Sequence, residues 1–336
     1  MIGTLLKSVK DHLIFVVVAS LVTGLIAGQL IGPSTRDILQ TAVLPALFLM
    51  IYPMMINLDL QEVLLIRQHF TGVALSLVVN FLLAPAFAVG LAWLFFGNSP
   101  AYAVGLYLIA LIPTSGMTAA WTGLAGGDLE NALVAIAVNL IAAVFILPPY
   151  LSILVGGAVE FDPAALYRQL AVVVAIPMIA GNLTRRWLQR RYDEAGFKRL
   201  KPRFGGISSI GVMLIVFIAM AMRSESILAE PVTAALTIVP LVAFYALMLT
   251  AGAFVGRFLL STEQSIALVY STSMRNLSIA LAVVAASQVL PQAAILPIAL
   301  SYVLQPPLGA VYMHYRRDIV DEGRSVTEVL RSVVPG

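Results

Sequence analysis

Long apolar runs separated by short polar connections dominate the chain, and each run is apolar on every side rather than along one face. Because a helix needs roughly 20 mostly apolar residues to cross a bilayer, these runs predict membrane-spanning helices. The predicted spans lie at about 13–31, 39–58, 70–96, 101–126, 131–155, 167–187, 205–222, 231–260, 263–288 and 291–314. The pattern therefore predicts an all-α polytopic membrane protein of ten helices.

The composition agrees with this prediction. The 336 residues are 60% hydrophobic and 11% charged, whereas about a quarter of the residues in soluble domains are charged. Cysteine is absent, which excludes disulfides, thiolate metal sites and cysteine nucleophiles. His12, His69 and His314 flank apolar runs with no acid or second histidine at ligand spacing. We therefore predict no metal site and no cofactor.

Basic residues concentrate on one side of the predicted spans. With ten spans, the two termini and the even-numbered connections share a side that holds sixteen of the twenty Lys and Arg residues. The other side holds Arg36, Arg168 and Arg223, and the twentieth residue is Arg275. The positive-inside rule then places both termini in the cytoplasm, in what we expect to be a bacterial inner membrane.

The basic segment 185–203 is expected to fix this topology and to contact anionic membrane lipids, with a regulatory docking site as the alternative. The formal net charge of +3 is accounted for by the topology and does not indicate a nucleic-acid partner. The sequence contains no signal for the oligomeric state.

The two halves of the chain, 1–160 and 161–316, repeat the same order of five spans, and 317–336 is predicted to be a cytoplasmic tail. Because five is odd, the second half must be inverted relative to the first. Spans 4 and 9 are each interrupted near the middle, at IPTSGMTAAWTG (Ile112–Gly123) and YSTSMRNLS (Tyr270–Ser278). Paired breaks of this kind point to the midplane site of a secondary transporter. The alternative is that Pro113 and Gly116 only kink a helix.

Arg275 lies twelve residues into span 9, at a depth of about 18 Å, close to the middle of the bilayer. No acidic residue shares this depth, and a charge there costs from about 2.5 to over 10 kcal/mol. Three interpretations remain open. Arg275 caps free carbonyls at the break of span 4, or it binds an anionic substrate, or the helix register differs and it faces an interface.

We predict that the two breaks bind a small anionic solute. Arg275 and the half-helix N-termini attract the negative group, polar side chains donate and accept hydrogen bonds, and Asn80 braces the crossover from span 3. The predicted binding residues are Arg275, Asn276, Ser271, Thr272, Ser273, Thr114, Ser115, Gly116, Met117, Thr118 and Asn80.

Other residues in the spans have more ordinary predicted roles. Met54, Met117, Trp121 and Met274 either line an apolar part of the cavity or pack in the core, and Asn57, Asn139 and Gln305 are expected to make interhelical contacts. No catalytic constellation is present, so we predict no enzyme activity and no catalytic residue. A scaffold or receptor is the remaining class, but scaffolding does not require paired polar breaks.

These residues resemble the bile acid:sodium symporter superfamily, which includes the arsenite-efflux permeases. The matching motifs are NFLLAP (Asn80–Pro85) in span 3, Pro113 fifteen residues before the Asp128 of a Gly-Asp pair that ends the run WTGLAGGD (Trp121–Asp128), and Met-Arg-Asn at 274–276. The resemblance implies two inverted five-helix repeats whose spans 4 and 9 cross at their breaks. It also implies a mobile core of spans 3–5 and 8–10 that moves against a panel of spans 1, 2, 6 and 7.

The chain departs from this family at its functional positions. Where sodium-coupled members hold the ion, it has Ser271, Arg275, Thr118, Ala119, Ala132 and Ile136. The overall likeness is greatest to the arsenite-efflux branch, yet Thr114 and Ser278 stand where that branch has its cysteine and glutamate. We therefore predict a sodium-independent transporter of a small organic anion that works by alternating access, with Arg275 in place of sodium. The alternatives are an arsenite or antimonite efflux permease and a sodium-coupled organic-anion symporter.

Overall fold

The computed structural model describes residues 13–97, 99–155, 163–229, 231–287 and 289–316, and within these ranges the chain is helical, without a strand. The helices are α1 (Leu13–Leu30), α2 (Pro33–Asn57), α3 (Phe70–Val78), α4 (Ala84–Phe95), α5 (Pro100–Leu111), α6 (Gly116–Leu124), α7 (Leu129–Val155), α8 (Pro163–Leu170), α9 (Ile176–Ala229), α10 (Pro231–Leu236), α11 (Ile238–Leu259), α12 (Thr262–Ser273), α13 (Leu277–Ala285) and α14 (Ile295–His314). Single π-helical turns join α3 to α4 (Val79–Leu83) and α8 to α9 (Ala171–Ala175).

The described residues contain eight helical segments that are long and apolar enough to cross a membrane. The pair α5 and α6, bent by 60° at a short break, adds a ninth candidate. The first predicted span coincides with α1, whose apolar part, Phe15–Leu30, is shorter than the other candidates. The all-helical membrane class is thus confirmed, whereas the count of ten and the inverted repeat stay predictions. The predicted tail 317–336 lies outside the described residues.

The basic segment after span 6 is helical, although the sequence analysis treats it as a connection. The run α9 contains the second half of predicted span 6 and all of predicted span 7, and it consists of two helices that meet at a kink at Asp193, whose backbone angles are non-helical (φ 57°, ψ −178°). The Asp193 carboxylate accepts a hydrogen bond from the Gly196 N–H at 2.7 Å, which caps the segment that follows. Arg, Lys, Leu and Gln dominate here and are strong helix formers, so the helices on both sides of Asp193 extend beyond their apolar parts.

Helices α1 and α2 both pack against α9, and small residues allow their close approach. A Cβ atom added to Gly28 would lie 2.2 Å from the Ala221 carbonyl oxygen, and one added to Gly211 would lie 2.5 Å from the backbone of Met50. Interfaces between membrane helices depend on such small residues because van der Waals packing replaces the hydrophobic driving force.

Segment 262–285, made of α12 and α13, occupies the centre of the protein. The most apolar stretch of this span is 94% buried, against 33–61% for the other seven long spans. A central position explains how its polar residues avoid lipid, because the neighbouring helices surround them.

Candidate functional site

The first break separates α5 from α6 and is built from Pro113, Thr114 and Ser115. Thr114 has φ +52°, a left-handed conformation that is unfavourable for a β-branched residue. Ser115 then caps α6, because its Oγ accepts from the Met117 N–H at 3.3 Å while Thr118 Oγ1 accepts from the Ser115 N–H at 3.4 Å. These contacts end one half-helix and start the next at a 60° angle.

The second break separates α12 from α13 at residues 274–276. Asn276 caps α13, because its Oδ1 accepts from the Ile279 N–H at 3.2 Å. The hydroxyls of Ser271, Thr272 and Ser273 donate to carbonyl oxygens one turn earlier in α12. All three residues are buried, so these donors are already used within their own helix, and only their oxygen lone pairs remain for a ligand.

Two hydrogen bonds connect the break between α5 and α6 with the break between α12 and α13. The Asn276 N–H donates to the Ile112 carbonyl at 3.1 Å, and Thr118 Oγ1 donates to the Tyr270 carbonyl at 3.3 Å. Backbone groups freed by the helix breaks therefore find partners in the opposite break. This exchange satisfies groups that would otherwise be costly to bury in a membrane.

Arg275 lies at this contact and is only 1% exposed. Its Nη1 donates to the Ala110 carbonyl at 3.1 Å, near the C-terminal end of α5, and its guanidinium carbon lies 5.4 Å from the centre of the Phe244 ring. Nε and Nη2 have no hydrogen-bond partner, and no carboxylate among the described residues pairs with Arg275. Its burial disagrees with the interpretation of an interfacial arginine, whereas the Ala110 contact is the one that the capping interpretation requires.

Asn80 braces the second break from the π-helical turn between α3 and α4. Its Nδ2 donates to the Ser271 carbonyl and to Asn139 Oδ1, both at 3.0 Å. Asn139 in turn donates to Ser76 Oγ at 2.7 Å. The π-helical turn lies just before Pro85, which has no N–H to donate, and it helps to bring Asn80 to this depth.

The predicted binding residues differ in their access. Gly116 is exposed and Ser115 and Met117 are partly exposed, whereas the other predicted residues (Thr114, Thr118, Ser271, Thr272, Ser273, Arg275, Asn276 and Asn80) are buried. A Cβ atom added to Gly116 would meet no atom within 4 Å, so open space lies beside Gly116 in the first turn of α6. The structure thus places the α6 N-terminus at the accessible side of the site and Arg275 behind it.

Three of the four predicted apolar lining residues come together. Met117 and Trp121 pack with Met274 and Tyr270, and Trp121 stacks on Tyr270 with ring centres 6.2 Å apart. The fourth residue, Met54, packs in the main core instead. These contacts form one apolar wall next to the α6 N-terminus.

Gln305 makes more contacts with the break than the sequence analysis expected. It was predicted to join helices, yet its side-chain amide bonds both backbone polar groups of Arg275. One signal was present in the sequence, a polar amide directly before Pro306 and Pro307 in an apolar span. Tyr245, which also bonds Gln305, had no such signal.

Arg185 differs from the expectation for its basic segment. It is buried, forms an ion pair with Asp59, donates to the Asn57 carbonyl at 3.2 Å and lies 5.0 Å from the centre of the Phe197 ring. These contacts hold the end of α2 against α9. Other arginines of the segment, such as Arg186, are exposed and fit the predicted contact with lipids.

Comparisons with known proteins agree with this architecture. The profile of the Sodium Bile acid symporter family matches residues 44–230. An arsenical-resistance protein Acr3 of Alkaliphilus metalliredigens is 27% identical over 246 residues, which cover 67% of this chain and 68% of that protein. An Acr3 protein of Corynebacterium glutamicum is 24% identical over 213 residues, covering 59% of this chain and only 57% of that protein.

A third relative comes from a vertebrate. Sodium/bile acid cotransporter 7 of Danio rerio is 27% identical over 114 residues, which cover 34% of this chain and 32% of that protein. The family profile covers more than half of the chain, and its matched region includes the break between α5 and α6. The chain therefore belongs to the sodium bile acid symporter family of membrane transporters.

Proposed function

We propose that the protein is a secondary transporter that moves a small organic anion by alternating access and needs no sodium, because Arg275 takes the place of the ion. The observation that carries this proposal is the position of Arg275. Its guanidinium is buried where the two helix breaks touch, it bonds the Ala110 carbonyl at 3.1 Å, and two of its nitrogens have no partner.

The Arg275 guanidinium is a fixed cation that stabilises the helix ends as a bound sodium ion would. The last carbonyls of α5 carry partial negative charge, and a positive group near them is stabilising. Sodium would need several oxygen ligands, preferably with one carboxylate. Ser271 stands where sodium-coupled relatives have a glutamate, and its hydroxyl bonds the Leu268 carbonyl at 3.0 Å. The chemistry of these residues therefore suits a built-in cation better than a bound one.

The substrate anion is proposed to bind at the N-terminus of α6, with its negative group near Ser115 and Gly116. Backbone N–H groups at a helix N-terminus attract anions. The charge of Arg275 adds to this attraction from behind, because the surrounding apolar core screens it weakly. Met117 and Trp121 offer an apolar surface to the rest of the substrate.

The packing of the helices supports alternating access. Helix α13 packs against α2 and α9, whereas the extensive contacts of α6 are with α7, α12 and α14. Cβ atoms added to Gly116 or Gly123 would meet no atom within 4 Å. We propose that the free space beside Gly116 and Gly123 is the open side of the crossover and that the α13 side is closed. In the ten-span topology of the proposal, with both termini cytoplasmic, the open side faces the cytoplasm.

Flux into proteoliposomes tests the proposal. We would measure uptake of acetate, pyruvate, lactate, benzoate and methanesulfonate with equal sodium or potassium outside. At least one anion should enter at the same rate in both salts. Sodium stimulation of the wild-type protein would refute the replacement of sodium by Arg275. Failure to take up any of these anions would count against the substrate class.

Arginine variants locate the charge that matters. Arg275→Gln should lower uptake by about 30-fold or more, the factor that corresponds to 2 kcal/mol lost with a buried charge. Arg257→Gln is the matched control, because Arg257 also lies over a phenylalanine ring, at 5.9 Å from its centre, but is exposed. Equal uptake by both variants would show that Arg275 does not serve the anion.

Arsenite efflux is the second candidate, because two relatives are named arsenical-resistance proteins. The chain has no cysteine, and thiolate is the soft ligand that favours arsenic. Ser278, where the arsenite branch has its glutamate, is bonded to the Tyr302 hydroxyl at 2.9 Å. We expect expression in an arsenite-sensitive bacterium to leave growth unchanged, and protection from arsenite would favour this candidate instead.

A further inference from the structure

Gln305 is a buried amide of α14 that contacts three other helical segments. Its Oε1 accepts from the Arg275 N–H at 2.7 Å and from the Tyr245 hydroxyl at 3.2 Å. Its Nε2 donates to the Arg275 carbonyl at 3.3 Å and lies 3.8 Å from Met117 Sδ. One side chain therefore connects the break between α12 and α13 with α11 and with the accessible end of α6.

These contacts bind backbone polar groups that the helix break removes from the helical hydrogen-bond pattern. Arg275 lies outside both half-helices, so its N–H has no helical partner, and its carbonyl accepts only a local backbone hydrogen bond, from the Leu277 N–H at 3.1 Å. An amide side chain has both a donor and an acceptor and can bond both groups of one residue at once. The Arg275 backbone fixes the amide orientation, because a rotated amide would present NH₂ to the Arg275 N–H and its oxygen to the Arg275 carbonyl. The Arg275 peptide is thus held in one position.

We propose that Gln305 is a positioning residue for Arg275 that sets the affinity for the transported anion. The inference rests on the proposed function of Arg275. By holding the peptide, Gln305 directs the guanidinium under the end of α5 and away from lipid. As a neutral amide, it also leaves the positive charge uncompensated, so that the charge remains available to an anion.

Two substitutions of Gln305 separate its role in holding the Arg275 peptide from its role as a neutral neighbour of the charge. In Gln305→Glu, the carboxylate still accepts from the Arg275 N–H and from Tyr245, and it adds a negative charge next to the backbone of Arg275. The fold is expected to survive, but the anion meets a neutralised site. In Gln305→Met, the shape is kept and the hydrogen bonds of the Gln305 amide are lost. The buried Arg275 N–H then lacks a partner, and the Arg275 carbonyl keeps only the Leu277 N–H, at 3.1 Å.

Gln305→Glu and Gln305→Met should therefore rank in opposite order by KM and by melting temperature. With the anion that the wild-type protein takes up fastest from the set above, KM should rise about tenfold or more in Gln305→Glu, the range of a typical coupling between sites. The rise should be smaller in Gln305→Met. The melting temperature in detergent should fall further in Gln305→Met than in Gln305→Glu, and Vmax should stay within about threefold in Gln305→Glu.

Gln292→Glu is the matched control. Gln292 is also an amide, three residues before the start of α14, and it bonds backbone carbonyls, those of Val284 and Ser287 at 2.8 and 2.9 Å, but it does not bond Arg275. Its KM should equal that of the wild-type protein. If Gln305 only stabilised the fold, the variant with the lower melting temperature would also have the higher KM. That result, or a KM for Gln305→Glu within twofold of wild type, would overturn the inference.

A measurement that needs no substrate separates this inference from the proposed function. Hydrogen–deuterium exchange of the peptide that contains the Arg275 amide should accelerate in Gln305→Met and stay near wild type in Gln305→Glu and Gln292→Glu. Absence of uptake by the wild-type protein would refute the proposed function even if this pattern of exchange appeared. Unchanged exchange in Gln305→Met would refute the positioning role even in an active transporter.

Discussion

Thr114 is a buried β-branched residue held at φ +52° in the break between α5 and α6, and this strain gives a sharp test of the site's backbone. A left-handed backbone costs an L-residue with a Cβ atom about 1–2 kcal/mol. Its one side-chain hydrogen bond, to the Ile136 carbonyl, is 3.5 Å long and offsets little of this cost. Glycine adopts this conformation without strain.

The comparison of glycine with alanine at the same position isolates the backbone, because both substitutions remove the threonine side chain beyond Cβ. Thr114→Gly should be more stable than Thr114→Ala by about 1 kcal/mol, since alanine keeps the strain and glycine relieves it. Thr272 is the matched control, a buried threonine inside α12. There the order should reverse, because glycine is about 1 kcal/mol worse than alanine inside a helix.

The assay is thermal unfolding of the four purified variants in the same detergent, with roughly 2 °C expected for each kcal/mol in a protein of this size. Opposite signs at positions 114 and 272 would confirm the strained backbone. If alanine were the more stable residue at both positions, Thr114 would not have a positive φ, and the account of the break would fail.

Three further predictions address the proposed replacement of sodium, the contacts of Asn80 and a carboxylate outside the site. Ser271→Glu combined with Arg275→Gln, which restores the two residues of the sodium-coupled relatives, should make uptake faster in sodium than in potassium; equal rates would speak against the ion replacement. Asn80→Leu should cost about 2–4 kcal/mol, because Asn139 Oδ1 and the Ser271 carbonyl lose their buried donor, and an unchanged melting temperature would contradict the brace. Burial and the nearby carboxylate of Asp59 raise the pKa of Glu62, in the connection after α2, above its ordinary value. The ionised carboxylate therefore destabilises the folded state, and stability rises as the pH falls through the raised pKa. Glu62→Gln should therefore be more stable than the wild-type protein at pH 7 and no different at pH 4, and equal stability at both values would show that the carboxyl is not perturbed.

Several features of the site were predictable from local sequence. Pro113, Gly116 and the Met-Arg-Asn run interrupt apolar segments, and a helix in lipid can be interrupted only where the freed groups find other partners. Arg275 stood out because it is the one basic residue that the topology does not explain. The class of helical membrane transporter and the locations of both breaks followed from these residues.

The limits of prediction appear at the long-range contacts. Asn80 and Ser271 are 191 positions apart, and Arg275 and Ala110 are 165 apart. Gln305, which holds Arg275, and Asn57, which donates to the Lys201 carbonyl at 3.3 Å, were both predicted only as interhelical contacts. The hydroxyls of Thr272 and Ser273 looked available for a substrate, yet they bond their own helix.

The sequence by itself determined that the chain forms apolar helices, that two of them break, and that a cation lies at one break. Only the tertiary structure decided that the guanidinium faces the end of α5 and that open space lies beside Gly116 in the first turn of α6. The physical reason is that hydropathy and helix breakers act within a few residues of one another. The partner of a buried polar group depends instead on the rotation and depth of helices distant in sequence, and these are set by the packing of the whole molecule.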